Sequence, residues 1–319
     1  MKCLGIECTA HTFGASIVDS SGRFLSNEKA SFTSSSRGMV PREVLEFHKT
    51  HRDDVLEKAL VSDVDVVAVS QGPGIGTMLF EGIEYCKKLA KKLDIPLLGV
   101  NHAVAHLEIG VKECKAKDSV FLYVSGGNTQ VLVRGPKRYD VVGETLDIGI
   151  GNLLDKSARH LGLGFPGGPL LYELSLKGKH FVELPYNVKG MDVCFSGLAT
   201  DFKRKAEDHA PQDMAFSLQE VAFDMVCEVA ERALSHFEKK ELVLAGGVAC
   251  SKILQEKTRI MCQERGAKMR VPENKFLVDN GAMIAWNGLL AYRASQKPLS
   301  ASAQPLPHWR PNDVDAVWL

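Results

Sequence analysis

Val120-Phe121-Leu122-Tyr123-Val124-Ser125-Gly126-Gly127-Asn128-Thr129-Gln130-Val131-Leu132-Val133-Arg134 reads as two apolar strands, 120–124 and 129–134, joined by a tight turn of small and polar residues. A third strand follows at 139–142. Upstream the same order is already present. Leu4-Gly5-Ile6-Glu7 leads into the polar turn Cys8-Thr9-Ala10-His11, then come apolar residues 13–18, a Ser20-Ser21-Gly22 turn and a strand at 24–27. Each triplet of strands is followed by alternating helix and strand. In the first half these are a polar loop at 31–37, a helix at 41–60, a β-branched strand at 64–69 buried on both faces, a Gly-rich turn at 71–76, a helix through Lys92, a strand at 96–100 and a second helix. In the second half, helices are expected at 152–161, 169–177, 198–207 and 214–237. A strand at 241–244, a Gly246-Gly247 turn, a helix at 250–265, a strand at 268–271 and a helix at 280–293 follow.

Two such halves predict an α/β protein made of duplicated RNase H-like lobes, of the actin, Hsp70 and sugar-kinase kind, with a nucleotide and metal cleft between them. The expected division is 1–117 for the N-terminal lobe and 118–319 for the C-terminal lobe, with the last helix packing back on the first lobe as the alternative. Residues 305–319 read as an irregular tail or linker. With 319 residues, 45% hydrophobic and 24% charged, the chain can bury a large core. A formal net charge of zero advertises no nucleic-acid partner, although a local patch or a basic partner subunit would suffice for one. Eight scattered cysteines without a CxxC suit reduced thiols and argue against a disulfide framework or a thiolate zinc site. The chain starts directly on a strand, and no apolar run approaches the ~18 residues of a membrane span. The expectation is a cytoplasmic protein with no membrane partner.

In a duplicated fold of this kind the first hairpin turn of each half faces the cleft. Thr9 in one turn, and Ser125, Gly126, Gly127 and Asn128 in the other, are paired candidates for holding phosphates. Small residues let backbone N–H groups approach oxygens, and the two hydroxyls add donors. Gly246 and Gly247 leave room for a base or ribose, and Phe165-Pro166-Gly167-Gly168-Pro169 is a turn of the same type. Asp147 and Asp155 bracket a Gly-rich segment before a helix, where they can bind ribose or Mg²⁺, or simply cap the helix. His102 and His106, four apart, share one helix face and can reach one metal ion; the alternative is two histidines at a core edge. Lys87, Lys88, Lys91 and Lys92 read as a solvated helix face. Arg37, Arg42, Lys49 and Arg52, with His48 and His51, form a more plausible basic patch.

Gly5-Ile6-Glu7, Ser70-Gln71-Gly72-Pro73-Gly74, Asn101-His102-Ala103-Val104-Ala105-His106, Tyr123-Val124-Ser125-Gly126-Gly127-Asn128-Thr129-Gln130, Gly164-Phe165-Pro166-Gly167-Gly168-Pro169, Phe195-Ser196-Gly197, Ala245-Gly246-Gly247-Val248-Ala249 and Asp279-Asn280-Gly281-Ala282-Met283 together resemble the universal tRNA threonylcarbamoyladenosine biosynthesis transferase family. The resemblance runs along essentially the whole chain. Asn128 and Tyr123 are similar to the archaeal/eukaryotic branch, the catalytic subunit of the KEOPS complex. It implies His102, His106, Asp279 and Tyr123 as ligands of one divalent metal, iron or zinc. It further implies Tyr123, Val124, Ser125, Gly126 and Gly127 as the segment binding threonylcarbamoyl-AMP, and Asp155 and Gly168 as nucleotide contacts. Two positions depart from the pattern. An acid is usual where Tyr172 stands and here is Glu173, next door; Asn is usual where Ser251 stands.

The reaction so implied moves a threonylcarbamoyl group from its adenylate to N6 of the adenosine 3′ of the anticodon in ANN-decoding tRNAs. The implied cofactors are the metal, an ATP/ADP-type nucleotide and possible Mg²⁺. The implied partners are tRNA and the KEOPS subunits: a small kinase/ATPase, a dimerising subunit and an accessory subunit. In some archaea the kinase is fused at the C-terminus, which makes 310–319 a place where a longer chain would continue. Glu7, beside the first turn, is a candidate for orienting the amine or relaying its proton, with a structural carboxylate as the alternative. Three rivals use the same residues. A zinc metalloprotease lacks its base, because Ala103 stands where HExxH has glutamate. A small-molecule kinase needs the phosphate turns without the metal set, and an ATP-binding scaffold binds without transfer.

Overall fold

The computed structural model describes residues 1–35 and 38–319, so Arg37 of the expected basic patch lies outside the described residues. The first half runs β1 (Lys2–Glu7), β2 (Thr12–Asp19), β3 (Phe24–Ser31), α1 (Pro41–Ala59), β4 (Val66–Gly72), α2 (Gly76–Leu93), β5 (Leu97–Asn101) and α3 (His102–Cys114). The second runs β6 (Val120–Val124), β7 (Thr129–Arg134), β8 (Tyr139–Glu144), α4 (Ile150–His160), α5 (Gly167–Ser175), a small hairpin of β9 (Val188–Lys189) and β10 (Asp192–Val193), α6 (Ser196–Lys205) and α7 (Pro211–His236). It ends with β11 (Glu241–Ala245), a 3-10 turn at Gly247–Cys250, α8 (Lys252–Glu264), β12 (Lys268–Arg270), α9 (Asn274–Leu277) and α10 (Gly281–Arg293).

Two five-stranded sheets result, ordered β3-β2-β1-β4-β5 and β8-β7-β6-β11-β12. In each, the central strand pairs antiparallel with the second strand and parallel with the first strand after the hairpins. The duplicated α/β architecture expected from the strand triplets is therefore present. Apolar side chains cover both faces of the first sheet. Val55, Ala59, Ile83, Cys86 and Ala90 of α1 and α2 pack on one, and Ala105, Ile109, Ala282, Met283 and Leu289 of α3 and α10 pack on the other. The second sheet, with α4, α5, α6, α7 and α8, holds the largest core.

The final helix α10 lies on the first sheet, directly over β1 and β2. Gly5 permits this contact, because a Cβ there would collide with the Ala285 backbone. Some boundaries differ from the sequence reading. β3 runs on to Ser31 because it pairs with β2 over its whole length, consuming residues expected to loop. β4 starts at Val66 and takes in Gln71 and Gly72. The helix expected from Cys250 begins only at Lys252, after the 3-10 turn, and Gly167 and Gly168 open α5 rather than a turn.

Residues 305–319 are bound to the body of the protein rather than hanging free. Leu306 N–H donates to Gln71 O and Asn101 Nδ2 to Trp309 O, while Arg310 pairs with Glu144 and Trp318 Nε1 donates to Glu108 at 2.7 Å. The segment thus straps both halves. All eight cysteines are unpaired. Among the described residues no helix is long and apolar enough to cross a membrane.

Candidate metal centre and facing turn

α3 and α10 begin side by side, each capped by an asparagine. Asn101 Oδ1 accepts from Val104 N–H and Asn280 Oδ1 from Met283 N–H, both at 3.0 Å. His102 directly follows one cap and Asp279 directly precedes the other. Capping therefore brings an imidazole and a carboxylate together from residues far apart in the chain. His106 adds its ring one helical turn below His102. One ligand atom from each of His102, His106 and Asp279 falls within 4.8 Å of the others. His106 Nε2 lies 3.3 Å and His102 Nε2 3.6 Å from Asp279 Oδ1.

Behind His102 stands Glu7, fully buried at the end of β1. Its Oε2 lies 2.9 Å from His102 Nδ1, and its Oε1 accepts from the N–H and hydroxyl of Thr9 at 2.7 and 2.5 Å. Both oxygens have partners inside the protein, His102 on one and Thr9 on the other, an arrangement that suits a carboxylate standing behind a metal-binding histidine. The electrostatics follow from this packing. Burial opposes charge on His102, but Glu7 and Asp279 outweigh it and raise its pKa to about 9. Burial, with His102 beside it, holds His106 below its ordinary value. Burial also opposes charge on Asp279, yet the hydrogen bond with His106 and the nearby imidazoles keep its carboxyl well below the usual range.

Tyr123, at the end of β6, faces this group; its ring centroid is 5.4 Å from that of His106. Its hydroxyl is fully buried without a hydrogen-bond partner among the described residues, and His106 Nδ1 is likewise unpartnered. A buried phenol next to two imidazoles and a carboxylate, with its oxygen unsatisfied, fits a metal-ligand set of nitrogen and oxygen donors.

The 125–128 turn follows Tyr123. Ser125 Oγ accepts from Asn128 N–H at 3.1 Å, and the turn is held from behind by α4, whose Gly151 and Asn152 N–H groups donate to Ser125 O and Gly126 O. A Cβ at Gly126, Gly127 or Gly247 would meet no described atom within 4 Å, so these three backbones face open space. Gly246 is different. Its φ of 89° and the Val124 carbonyl oxygen against it exclude a side chain, and this close approach sets the Gly247–Cys250 turn beside Tyr123. Ser251 caps α8 through Leu254 N–H.

The two aspartates of the Gly-rich segment part company. Asp147 accepts from the N–H groups of Ile148, Phe195 and Ser196. Burial opposes its charge, but these bonds lower its pKa to about 2, so it serves as the anchor of α6. Among the described residues Asp155 accepts only from Gly167 N–H, at 2.7 Å, and burial raises its pKa. Gly168 and Tyr172, four apart on α5, share a face; Glu173 is turned away and exposed. A groove of about 570 Å³ beside Asp147, lined by Pro185, Ser196, Gly197, Thr200, Asp201 and Arg204, is separate from the histidines.

The basic patch is largely engaged internally. Arg52 pairs with Glu81 at 2.6 Å and lies over the Tyr85 ring, His51 stacks on Phe47, and burial depresses His48 to about 4. Lys87 pairs with Glu84. The sequence reading missed the commitment of Glu7 to His102 and the strap at 305–319. The HxxxH spacing could have raised the first, since a metal-binding histidine usually has a carboxylate on its other nitrogen.

Residues 23–286 match the family model TsaD, tRNA N6-adenosine threonylcarbamoyltransferase. The chain is 46% identical over 316 residues to the tRNA N6-adenosine threonylcarbamoyltransferase of Nanoarchaeum equitans, covering 97% of this chain and 99% of that one. It is 43% identical over 326 residues to a probable bifunctional tRNA threonylcarbamoyladenosine biosynthesis protein of Methanothermobacter thermautotrophicus, covering 100% of this chain and 61% of the relative. Among solved structures, Thermococcus kodakarensis HypF superposes with a TM-score of 0.64 at 15% identity, over 92% of this chain and 48% of that one. A ROK family glucokinase from Streptomyces griseus superposes at 0.51 and 12%, over 89% and 98%. These two share the fold. The chain belongs to the tRNA N6-adenosine threonylcarbamoyltransferase family, transferases whose substrate is tRNA.

Proposed function

Proceeding from that membership, we propose that the cleft between α3, α10 and the 125–128 turn holds threonylcarbamoyl-AMP on one side and the adenosine 3′ of the tRNA anticodon on the other. N6 of the adenosine bonds to the carbamoyl carbon and loses a proton. The bond from that carbon to the phosphate oxygen breaks, and AMP leaves with the electron pair. The observation that carries this reading is the meeting of His102, His106 and Asp279, with the Tyr123 ring beside His106, its hydroxyl unpartnered among the described residues, and the open Gly126-Gly127 turn following on the same strand. These four side chains would hold a divalent metal, iron or zinc; when bound, it supplies Lewis-acid polarisation of the carbonyl and stabilises charge on the leaving phosphate.

The chain's own residues do the rest. Glu7 fixes the His102 ring with Nε2 toward the cleft. Gly126, Gly127 and Gly247 let backbone approach the donor, with Val124, Ser125 and Asn128 shaping the turn. Asp155, Gly168 and Tyr172 flank the nucleotide from α4 and α5, while Glu173 stands outside it. Residues 1–117 and 118–319 act as two lobes with α10 returned to the first. The chain works in the cytoplasm with a kinase/ATPase, a dimerising and an accessory subunit, a reading in keeping with the bifunctional relative's greater length.

The test is transfer of labelled threonine to tRNA by the purified chain with those partners, bicarbonate, ATP and an adenylate-forming synthase. Wild type should label tRNA, and His102→Ala should not, with metal content falling in parallel. Equal labelling by both would remove the metal from the mechanism. No labelling by either, with active partners, would turn the reading to the kinase or scaffold.

A further inference from the structure

Lys29 lies near the middle of β3, opposite Gly14 of β2 in the antiparallel register. Directly paired residues present their side chains to the same face of a sheet. The face is identified by Gly14 itself: a Cβ there would stand 2.9 Å from Gly281 N and 3.3 Å from the Asn280 carbonyl carbon. Lys29 therefore projects beside the segment that carries Asp279. The alternate positions agree, since Phe13, Ala15 and Ala30 pack on the opposite face with α1 and α2.

Two groups feel the ammonium charge: Asp279, just ahead of α10, and Cys250 at the end of the Gly247–Cys250 turn. Solvent still reaches Lys29, yet burial is the main influence on its ammonium and lowers its pKa, with Asp279 and Cys250 opposing. Neither stands close enough to neutralise it. Among the described residues no carboxylate pairs with Lys29; Asp279 is paired instead with His102 and His106. An unpaired cation held between the candidate metal centre and the turn of open Gly247 is placed to receive an anion that enters with the nucleotide.

We propose that Lys29 is a positioning residue for the donor, its ammonium binding the phosphate of the adenylate at the metal-proximal end of the cleft. The proposal rests on the reading of the cleft as a nucleotide site and names the group that fixes the phosphate there. No proton moves; the cation offsets charge on the phosphate before and after it leaves with AMP.

Two probes separate phosphate from nucleoside: AMP and adenosine, titrated calorimetrically into the full chain. Lys29→Ala should weaken AMP roughly ten- to hundred-fold, the worth of one charge-assisted hydrogen bond, and leave adenosine unchanged. Lys29→Arg should restore most of the AMP affinity, and thermal unfolding should match wild type. In the transfer assay, KM for the donor should rise while KM for tRNA stays. Equal AMP binding by wild type and Lys29→Ala would overturn the proposal. So would equal weakening of AMP and adenosine, or a rise confined to KM for tRNA, which would give the cation to the nucleic-acid backbone. Wild type binding neither probe would overturn the nucleotide reading of the cleft as well.

Discussion

The turns at 8–11 and 125–128 occupy the same place in two sheets of the same strand order, yet one is closed and the other open. In the first, Thr9 spends its N–H and hydroxyl on Glu7 and its carbonyl on Ile75 N–H, and a Cβ at Gly74 would stand 2.8 Å from Thr9 Cβ. In the second, Gly126 and Gly127 face space, and α4 supports them from behind. Duplication supplies two equal frames. What fills each turn sets it apart: the first spends its polar groups on Glu7, which in turn contacts His102, and the second leaves open space before its glycines. Symmetry of strand pattern is therefore a guide to fold and a poor guide to how chemistry is shared.

The hardest test of that division removes the carboxylate on which the first half's chemistry converges. Asp279→Ala should abolish stoichiometric metal and lower transfer by roughly a hundred- to a thousand-fold, because two histidines of opposite pKa tendency remain with no anion between them. Retention of metal in this variant would show that the two histidines and Tyr123 suffice.

Glu7→Gln should act next most strongly, reducing metal affinity or activity about ten- to hundred-fold, as loss of a carboxylate behind a ligand does. It also carries a pH signature in metal-free protein. Burial disfavours the His102 imidazolium, but Glu7 raises its pKa from 6.5 to about 9, so the folded chain holds that proton more tightly than the unfolded one. The resulting stabilisation is complete below pH 6.5 and disappears as pH rises through about 9. Melting temperatures of chelator-treated wild type should fall across that window, and those of Glu7→Gln should be flatter. A parallel decline in both would assign the effect to another group.

Gly127→Val probes the open turn. Since a Cβ there meets no described atom, melting should stay within a few degrees of wild type, while AMP affinity should drop roughly ten-fold or more on the proposed placement of the donor. Gly74→Val should do the reverse, destabilising the chain because its Cβ would press on Thr9. If both variants fold and bind alike, the contrast between closed and open turns has no functional meaning.

Much of this was legible in the sequence because the signals were local. Alternating strands with tight turns, the β-branched run 64–69 and the HxxxH spacing each express a period that backbone geometry imposes. Non-local facts were not. Asp147 and Asp155 read alike in one Gly-rich segment, and only the return of residues 195 and 196 commits Asp147 to α6. The clasp of Glu7 on His102, and the strap from Leu306 to Trp318, join residues distant in the chain through a few long-range polar contacts. Nothing in local periodicity encodes them.

The smallest effect is expected at Ser251, which caps α8. Its hydroxyl accepts from Leu254 N–H at 3.5 Å, a long bond, so its worth as a cap sits near the low end of about 0.5–2 kcal/mol. Ser251→Ala should therefore lower stability by about 0.5 kcal/mol, measured by denaturant unfolding. Ser251→Asn keeps a capping oxygen and adds an amide within reach of the open space before Gly247. It should hold stability and tighten adenosine binding a few-fold. If instead adenosine binding is unchanged, the base sits away from the Gly247–Cys250 turn. The open side of the comparison would then contract to Gly126 and Gly127, and the nucleotide would be held by the 125–128 turn with α4 and α5 alone.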